Sequence, residues 1–288
     1  MKYRNLDITI FNDSFYLCQP SVGANIGLFI KNRKALVIDS GYYPDTGYDV
    51  IALLYHVLEA EPALLFNTHY HSDHTFGNQA FACPILSSEL CRDKIIEGPS
   101  SFWSESEIAR AKTENPDLTK WWKDLQITPP TISYNKEYEY SFEGEKIIFL
   151  QLGGHTPDSS IVYFPDHRIV YAGDLVFESH YPTLLRDGSP FELIDALRIV
   201  RSMHVEKIAP GHGNICEDDI IDILDEYWRG LIFKCGLAID SGLDDQAVIN
   251  ELMPDCRIRN IEYHEFKHRR NIESVLHYMR NNPRRNLS

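Results

Sequence analysis

The chain lacks a C-x-x-C pair, an excess of positive charge and any long apolar run. Its six cysteines, Cys18, Cys83, Cys91, Cys216, Cys235 and Cys256, are scattered over 288 residues. That spacing excludes a zinc ribbon and reads as buried, reduced thiols, not a disulfide framework. A formal charge of −14 excludes a large polyanionic partner such as nucleic acid, which needs a basic footprint. Arg284 and Arg285 are too few to supply one. No apolar stretch has the length of a membrane span. Met1 to Phe11 carries Asp7 within its apolar stretch and no small-residue cleavage site, so no signal peptide is expected and the cytoplasm is the expected location. Also missing are a G-x-S-x-G nucleophile elbow, a P-loop, a G-x-G-x-x-G loop, low-complexity tracts and short-period repeats.

What remains is ordinary for a globular protein: 43% apolar and 24% charged residues, enough for one large domain or a domain with an appendage. Residues 26–30 and 35–39 flank the polar turn Asn32-Arg33-Lys34 as a hairpin. Val50, Ile51, Leu54, Val57 and Leu58 recur at helical spacing over 48–58, and 63–66 make a short buried strand. Ser88 starts a helix to about Ile96. Residues 98–130 read as a helical insertion in two pieces, broken at Asn115-Pro116 and carrying Phe102, Trp103, Trp121 and Trp122. Strand patterns return at 137–142, 146–151, 161–164, 168–172 and 207–209, with a helix over 191–203. From Asp218 the chain is mostly helix, broken near Gly242 and Pro254. Its stripe of Ile220, Ile221, Leu224, Tyr227, Trp228 and Leu231 is expected to dock on the body, with a homodimer contact as the alternative. The expected division is a 1–214 body of interleaved strands and helices and a 215–288 helical extension.

The chemistry sits at strand exits. Directly after the strand at 63–66 comes N-T-H-Y-H-S-D-H-T-F-G-N, with His69, His71, Asp73 and His74 crowded together. His69 and His71 share a face of an extended segment. Asp73 and His74 stand at the turn into the next helix and can face the same space. Imidazole and carboxylate suit zinc and similar cations. Three more candidates, His155, Asp174 and His212, each follow an apolar strand and each adjoin glycine. Singly such residues are commonly structural; together they amount to a dinuclear ligand set.

These motifs resemble the metallo-β-lactamase fold superfamily. His69-x-His71-x-Asp73-His74 looks like its signature loop, and Gly154-His155-Thr156, Gly173-Asp174 and Gly211-His212-Gly213 look like its later ligand motifs. Val37-Ile38-Asp39-Ser40-Gly41 looks like its first motif, whose Asp supports the metal loop from behind. The resemblance implies an α/β fold, an αββα sandwich carrying a helical insertion and a helical C-terminal tail. It implies that His69, His71 and His155 hold one ion and that Asp73, His74 and His212 hold the other, with Asp174 bridging and Asp39 behind the ligands. Within that resemblance the ligand set looks closer to glyoxalase II-like and lactonase-like hydrolases than to classical β-lactamases, although Leu175 to Tyr181 lacks the basic glutathione-binding segment of glyoxalase II.

The expectation is therefore a dinuclear, metal-dependent hydrolase of a small ester, thioester or lactone. It would act through a metal-bridged hydroxide on zinc, with iron or manganese as alternatives. Asp73 would orient the nucleophile, and His180, Tyr181, Tyr42 or Tyr43 would protonate the leaving group. A mononuclear iron oxygenase of the persulfide dioxygenase type and a β-lactam hydrolase are the alternative readings. The rings of 98–130 either form a lid over an apolar substrate or pack the insertion onto the body. His264-Glu265-Phe266-Lys267-His268 fits H-E-x-x-H, but amid Lys267, Arg269 and Arg270 it reads as a solvated helix face.

Overall fold

The computed structural model describes residues 1–254, 258, 261, 262 and 264–282. Cys256, Arg284 and Arg285 lie outside them. The chain is mixed α/β with its strands in two sheets, and it divides into two compact units, Met1–Leu150 and Gln151–Ser288.

Unit 1 opens with three antiparallel strands that the sequence patterning did not single out: β1 (Lys2–Tyr3), β2 (Leu6–Ile10) and β3 (Phe15–Pro20). The expected hairpin follows as β4 (Ile26–Lys31) and β5 (Lys34–Ile38). Its central residues Asn32 and Arg33 have φ of 50° and 62°. Two left-handed residues make the tight turn whose twist matches that of paired strands. Pairing then becomes parallel. Helix α1 (Pro44–His56) crosses to β6 (Glu61–Phe66), the short α2 (Ser72–Thr75) follows, and β7 (Ile85–Ser88) lies beside β6. Helix α3 (Glu89–Glu97) starts where expected, its N-cap Ser88 accepting from Cys91 N. Then come α4 (Glu105–Glu114) and α5 (Asp117–Trp121), separated at Asn115-Pro116, and β8 (Ile132–Tyr134) joins β7 in parallel. The hairpin of β9 (Glu137–Phe142) and β10 (Glu145–Gln151) follows.

Val50, Leu53 and Leu54 of α1 pack with Leu28, Val37 and Leu65 of the sheet in one buried cluster. On the opposite side, Phe149 of β10 meets Phe66 of β6 with ring centroids 4.6 Å apart. Strands β5 and β6 are thus covered on both faces, which is why they read as unbroken apolar runs. The insertion is fastened by its rings: Trp122 packs on Phe76 and donates its indole N–H to Tyr42 O, while Trp121 stacks on Tyr43. Phe102 stays at the edge, 37% exposed.

Unit 2 holds β11 (Ser160–Phe164), β12 (Ile169–Phe177), α6 (Pro190–Ser202) and β13 (Lys207–His212). Strand β11 is antiparallel to β12, and α6 crosses over to bring β13 parallel to it. The β12–β13 ladder shifts register on either side of Gly173. Such irregularities re-aim a side chain, here that of Asp174. Helices α7 (Asp219–Asp240), α8 (Asp245–Leu252) and α9 (Glu265–Asn281) complete the unit. The stripe on α7 is buried apart from the half-buried Tyr227, Leu224 and Trp228 almost fully, with α6, β12, α8 and α9 as neighbours. The breaks near Gly242 and Pro254 end α7 and follow α8.

The five described cysteines are thiols, not disulfides. Burial pushes the thiols of Cys18, Cys216 and Cys235 up to about 12. They are thus protonated at neutral pH and poor nucleophiles.

Candidate metal centre

In unit 1 the parallel register decides what meets. Ile38 pairs with Phe66 at the ends of β5 and β6, so the residues that follow leave the sheet side by side. Asp39 N donates to Phe66 O at 2.7 Å. Asp39 itself is left-handed at φ 63° and fully buried. Its Oδ1 accepts from Thr68 N (2.8 Å), and its Oδ2 accepts from Thr68 Oγ1 (2.9 Å) and faces His74 Nδ1 (2.8 Å). Thr68 Oγ1, having donated to Asp39, accepts from His69 Nδ1 at 3.0 Å. A carboxylate only accepts, so both imidazoles must carry their proton on Nδ1 and present Nε2 as a lone-pair donor. Burial pushes the Asp39 carboxyl up, while His74 and Thr68 pull it down.

His69 Nε2 lies 3.0 Å from His71 Nδ1, and Asp73 Oδ2 lies 3.9 Å from His74 Nε2. The structure thus gathers the four residues of the opening motif. The loop is pinned from behind by buried polar residues: Ser40 Oγ and Asn67 Nδ2 donate to Asn78 Oδ1, and Asn78 Nδ2 returns a bond to Asn67 Oδ1. Tyr42 stands near Asp73; burial first, then that charge, push its phenol up to about 12.

Unit 2 supplies a second cluster. Asp174 is 7% exposed, with Oδ2 3.4 Å from His155 Nε2 and Oδ1 3.5 Å from His212 Nε2. His155 Nδ1 donates to Thr183 O at 2.7 Å, so its proton sits on Nδ1 and Nε2 carries the lone pair. Two ligand atoms on one tetrahedral zinc stand about 3.4 Å apart, given bonds of about 2.1 Å. The Asp174 contacts have that spacing, which is long for direct hydrogen bonds. In both units the donor set therefore fits divalent cations.

Gly211 is required at this spot: a Cβ there would lie 2.0 Å from Asp174 Oδ1 and 2.8 Å from Gly173 C. Gly211→Ala is expected to displace the carboxylate and cost about 2 kcal/mol of stability as an overpacking change. Urea unfolding and metal analysis of the dialysed variant check both effects.

Of the expected proton donors, His180 is exposed, its ring 6.1 Å from that of His212. Tyr181 is 2% exposed, and its hydroxyl bonds His268 Nδ1 at 2.9 Å. The H-E-x-x-H match splits apart. His264 is exposed and caps α9 through Lys267 N, as a solvated face predicts. His268 departs from that expectation: it is 1% exposed, buried by Tyr181, Tyr227 and the Leu252 carbonyl. Sequence reasoning also passed over Thr68, Asn78 and Thr183. Nothing in those residue types marks them, because their roles arise only from their tertiary partners.

The family description "Metallo-beta-lactamase superfamily" matches residues 21–212, the segment that carries every candidate ligand. The chain belongs to the metallo-β-lactamase superfamily. The Beta-lactamase-like protein 2 homolog of Drosophila melanogaster is 26% identical over 73% of this chain and 66% of its own length. The human Acyl-coenzyme A thioesterase MBLAC2 is 25% identical over 66% of this chain and 73% of its own. Among solved structures, the metallo-beta-lactamase from Pontibacter korlensis superposes with a TM-score of 0.61 at 17% identity, covering 78% of this chain and 99% of that one. That likeness is one of fold, and the chain's own two sheets and helices make it mixed α/β. No helix among the described residues is long and apolar enough to cross a membrane.

Proposed function

We propose that this superfamily member hydrolyses an acyl thioester with an apolar acyl group, using two divalent cations, zinc by donor type. His69, His71 and His155 would hold one ion and Asp73, His74 and His212 the other, with Asp174 shared. The observation that carries the reading is the preset tautomer: His69, His74 and His155 each have Nδ1 engaged, leaving Nε2 to ligate. Bound cations would supply Lewis acidity toward the carbonyl oxygen and acidify a water to a pKa of about 7. The chain's own residues do the rest. Asp39 and Thr68 hold the tautomers, Asp73 orients the attacking water, and Asp174 supplies the shared negative charge. His180 protonates the leaving group when it needs a proton, because the Tyr181 hydroxyl is committed to His268.

The acyl preference rests on rings next to the loop. Tyr70 lies 4.8 Å from His71, and Phe102 lies 5.3 Å from Tyr70 and 5.0 Å from Trp103, all centroid to centroid. Phe102 is the exposed member, an apolar surface beside the candidate ligands. A relative named as an acyl-coenzyme A thioesterase supports the thioester reading. Phe102→Ala is expected to lower kcat/KM about 5-fold on a dodecanoyl thioester, the loss of roughly 1 kcal/mol of apolar burial, and to spare an acetyl thioester. Chain-length profiles of both proteins check this.

His180→Ala separates leaving groups. A thiol of pKa about 8.5 departs unaided, so thioester turnover should hold. Turnover of an alkyl ester should fall about 100-fold, a typical general-acid contribution.

The test of the whole reading is elemental analysis of the purified protein beside a panel of acyl thioesters, lactones and aryl esters. About two zinc per chain and thioester turnover are expected. Two bound metals without turnover anywhere on the panel overturn the activity, and one iron per chain overturns the dinuclear reading.

A further inference from the structure

The C-terminal helix α9 reaches the candidate ligand His155 through one short loop segment. His155 Nδ1 donates to the carbonyl of Thr183, and α9 side chains hold the backbone on both sides of that carbonyl. Asn271, fully buried, accepts from Leu184 N at 2.9 Å and donates to Pro182 O at 2.9 Å. Ser274 Oγ donates to Leu184 O at 2.9 Å, and Lys267 Nζ donates to Tyr181 O at 3.3 Å. One turn further back, His268 Nε2 faces the Leu252 carbonyl and must donate to it. Its Nδ1 therefore accepts, from the hydroxyls of Tyr181 and Tyr227, at 2.9 and 3.0 Å. Tyr227 Oη in turn accepts from Asn271 Nδ2 at 2.9 Å.

The main chain from Tyr181 to Leu184 is thus gripped at both flanks of residue 183, and the Thr183 carbonyl itself is given to the imidazole. A free loop would let that carbonyl turn to water and let His155 rotate or exchange its Nδ1 proton for the Nε2 tautomer. A ligating imidazole must do neither, and the group on its far nitrogen sets both ring orientation and tautomer.

We propose that Asn271 is a positioning residue for the metal centre. By clamping residues 182 and 184, it aims the Thr183 carbonyl at His155 and keeps that ring in the Nδ1–H tautomer. A helix outside the family-matched segment would then set the geometry of a ligand inside it. This rests on the proposed metal site only for its functional consequence; the clamp itself is independent of metal.

The experiment compares the wild-type chain with Asn271→Leu, Asn271→Asp and Ser274→Ala. Ile272→Val serves as a control, because it alters a fully buried neighbour on α9 that makes none of these bonds. Should Asn271→Leu fail to fold, Asn271→Asp, which keeps the acceptor for Leu184 N and loses the donor for Pro182 O, carries the test with Ser274→Ala. The first readout is the histidine nitrogen spectrum of the metal-free protein. His155 is expected as a single Nδ1–H tautomer in wild type and in Ile272→Val, and as a mixture in the Asn271 variants. The second is zinc affinity by chelator competition, expected to weaken about 10- to 100-fold in the Asn271 variants, the usual effect of losing support behind a ligand, and to hold in the control. An unchanged tautomer and affinity in the Asn271 variants overturn the inference. Wild-type protein that binds no zinc, yet shows the tautomer shift on substitution, instead overturns the metal reading and leaves the clamp standing.

Discussion

Asp174→Ala is expected to lower kcat/KM by about three orders of magnitude, some 4 kcal/mol of transition-state stabilisation, and to lower the bound metal with it. The reasoning starts from position. The Asp174 carboxylate stands between the Nε2 atoms of His155 and His212, 3.4 and 3.5 Å away. It is nearly buried, and the register shifts around Gly173 turn it to that place. A buried carboxylate with an imidazole at each oxygen is the natural shared ligand of two cations, and its negative charge offsets theirs. Alanine adds no bulk to β12 and keeps its backbone conformation accessible. The expected signature is therefore a chain with wild-type circular dichroism and unfolding midpoint that has lost metal and turnover together. Elemental analysis with thioester kinetics reads it; a variant with full metal content and full rate would remove Asp174 from the centre.

Much of this was legible in the residues themselves. Metal ligands are few in type, so His69, His71, Asp73 and His74 after an apolar strand announce themselves by chemistry, and the turn Asn32-Arg33 announces itself by polarity. The misses have a common physical cause. Strand β12 was expected to stop at Ala172 because Gly173-Asp174 looks like an exit; the parallel partner β13 carries it on to Phe177 through two irregularities. Strands β1 to β3 escaped notice because β1 is two residues long and β2 carries Asp7 within its apolar run; each is held by its neighbour, β1 by β2, β2 by β3 and β3 by β4. His268 sits in a run of charged residues that reads as solvated, and the groups that bury it come from positions 181, 227 and 252. Local pattern reports local partners. It is silent about a hydrogen bond to a residue dozens of positions away.

Asp39→Asn tests the support behind the ligands, and its expected effect is large because one substitution should invert two tautomers. The carboxylate accepts on both oxygens: from the Thr68 amide on Oδ1, and from Thr68 Oγ1 and His74 Nδ1 on Oδ2. Asparagine offers one acceptor oxygen and an NH2 with two donor hydrogens. The Thr68 amide can only donate, so the asparagine oxygen is expected to take the Oδ1 place and leave its NH2 facing His74 and Thr68 Oγ1. His74 must then accept on Nδ1 and carry its proton on Nε2, where it can no longer ligate. Thr68 Oγ1, now receiving a hydrogen bond, turns its own proton to His69 Nδ1, and that ring shifts its proton to Nε2 as well. Two ligand atoms are protonated by a change that adds no bulk and removes no ligand. Losing one such support typically weakens a metal site 10- to 100-fold; losing two together is expected to exceed about 100-fold in zinc affinity, with a parallel fall in kcat. Asp39→Ala differs in kind. It leaves the His74 Nδ1–H and both Thr68 donors buried without their acceptor, at about 1–3 kcal/mol each, so it should fail first in urea unfolding. Chelator competition, histidine nitrogen spectra and unfolding curves on the two variants separate these outcomes. Wild-type zinc affinity in a folded Asp39→Asn chain would show that the Asp39 carboxylate does not set the tautomers of His69 and His74.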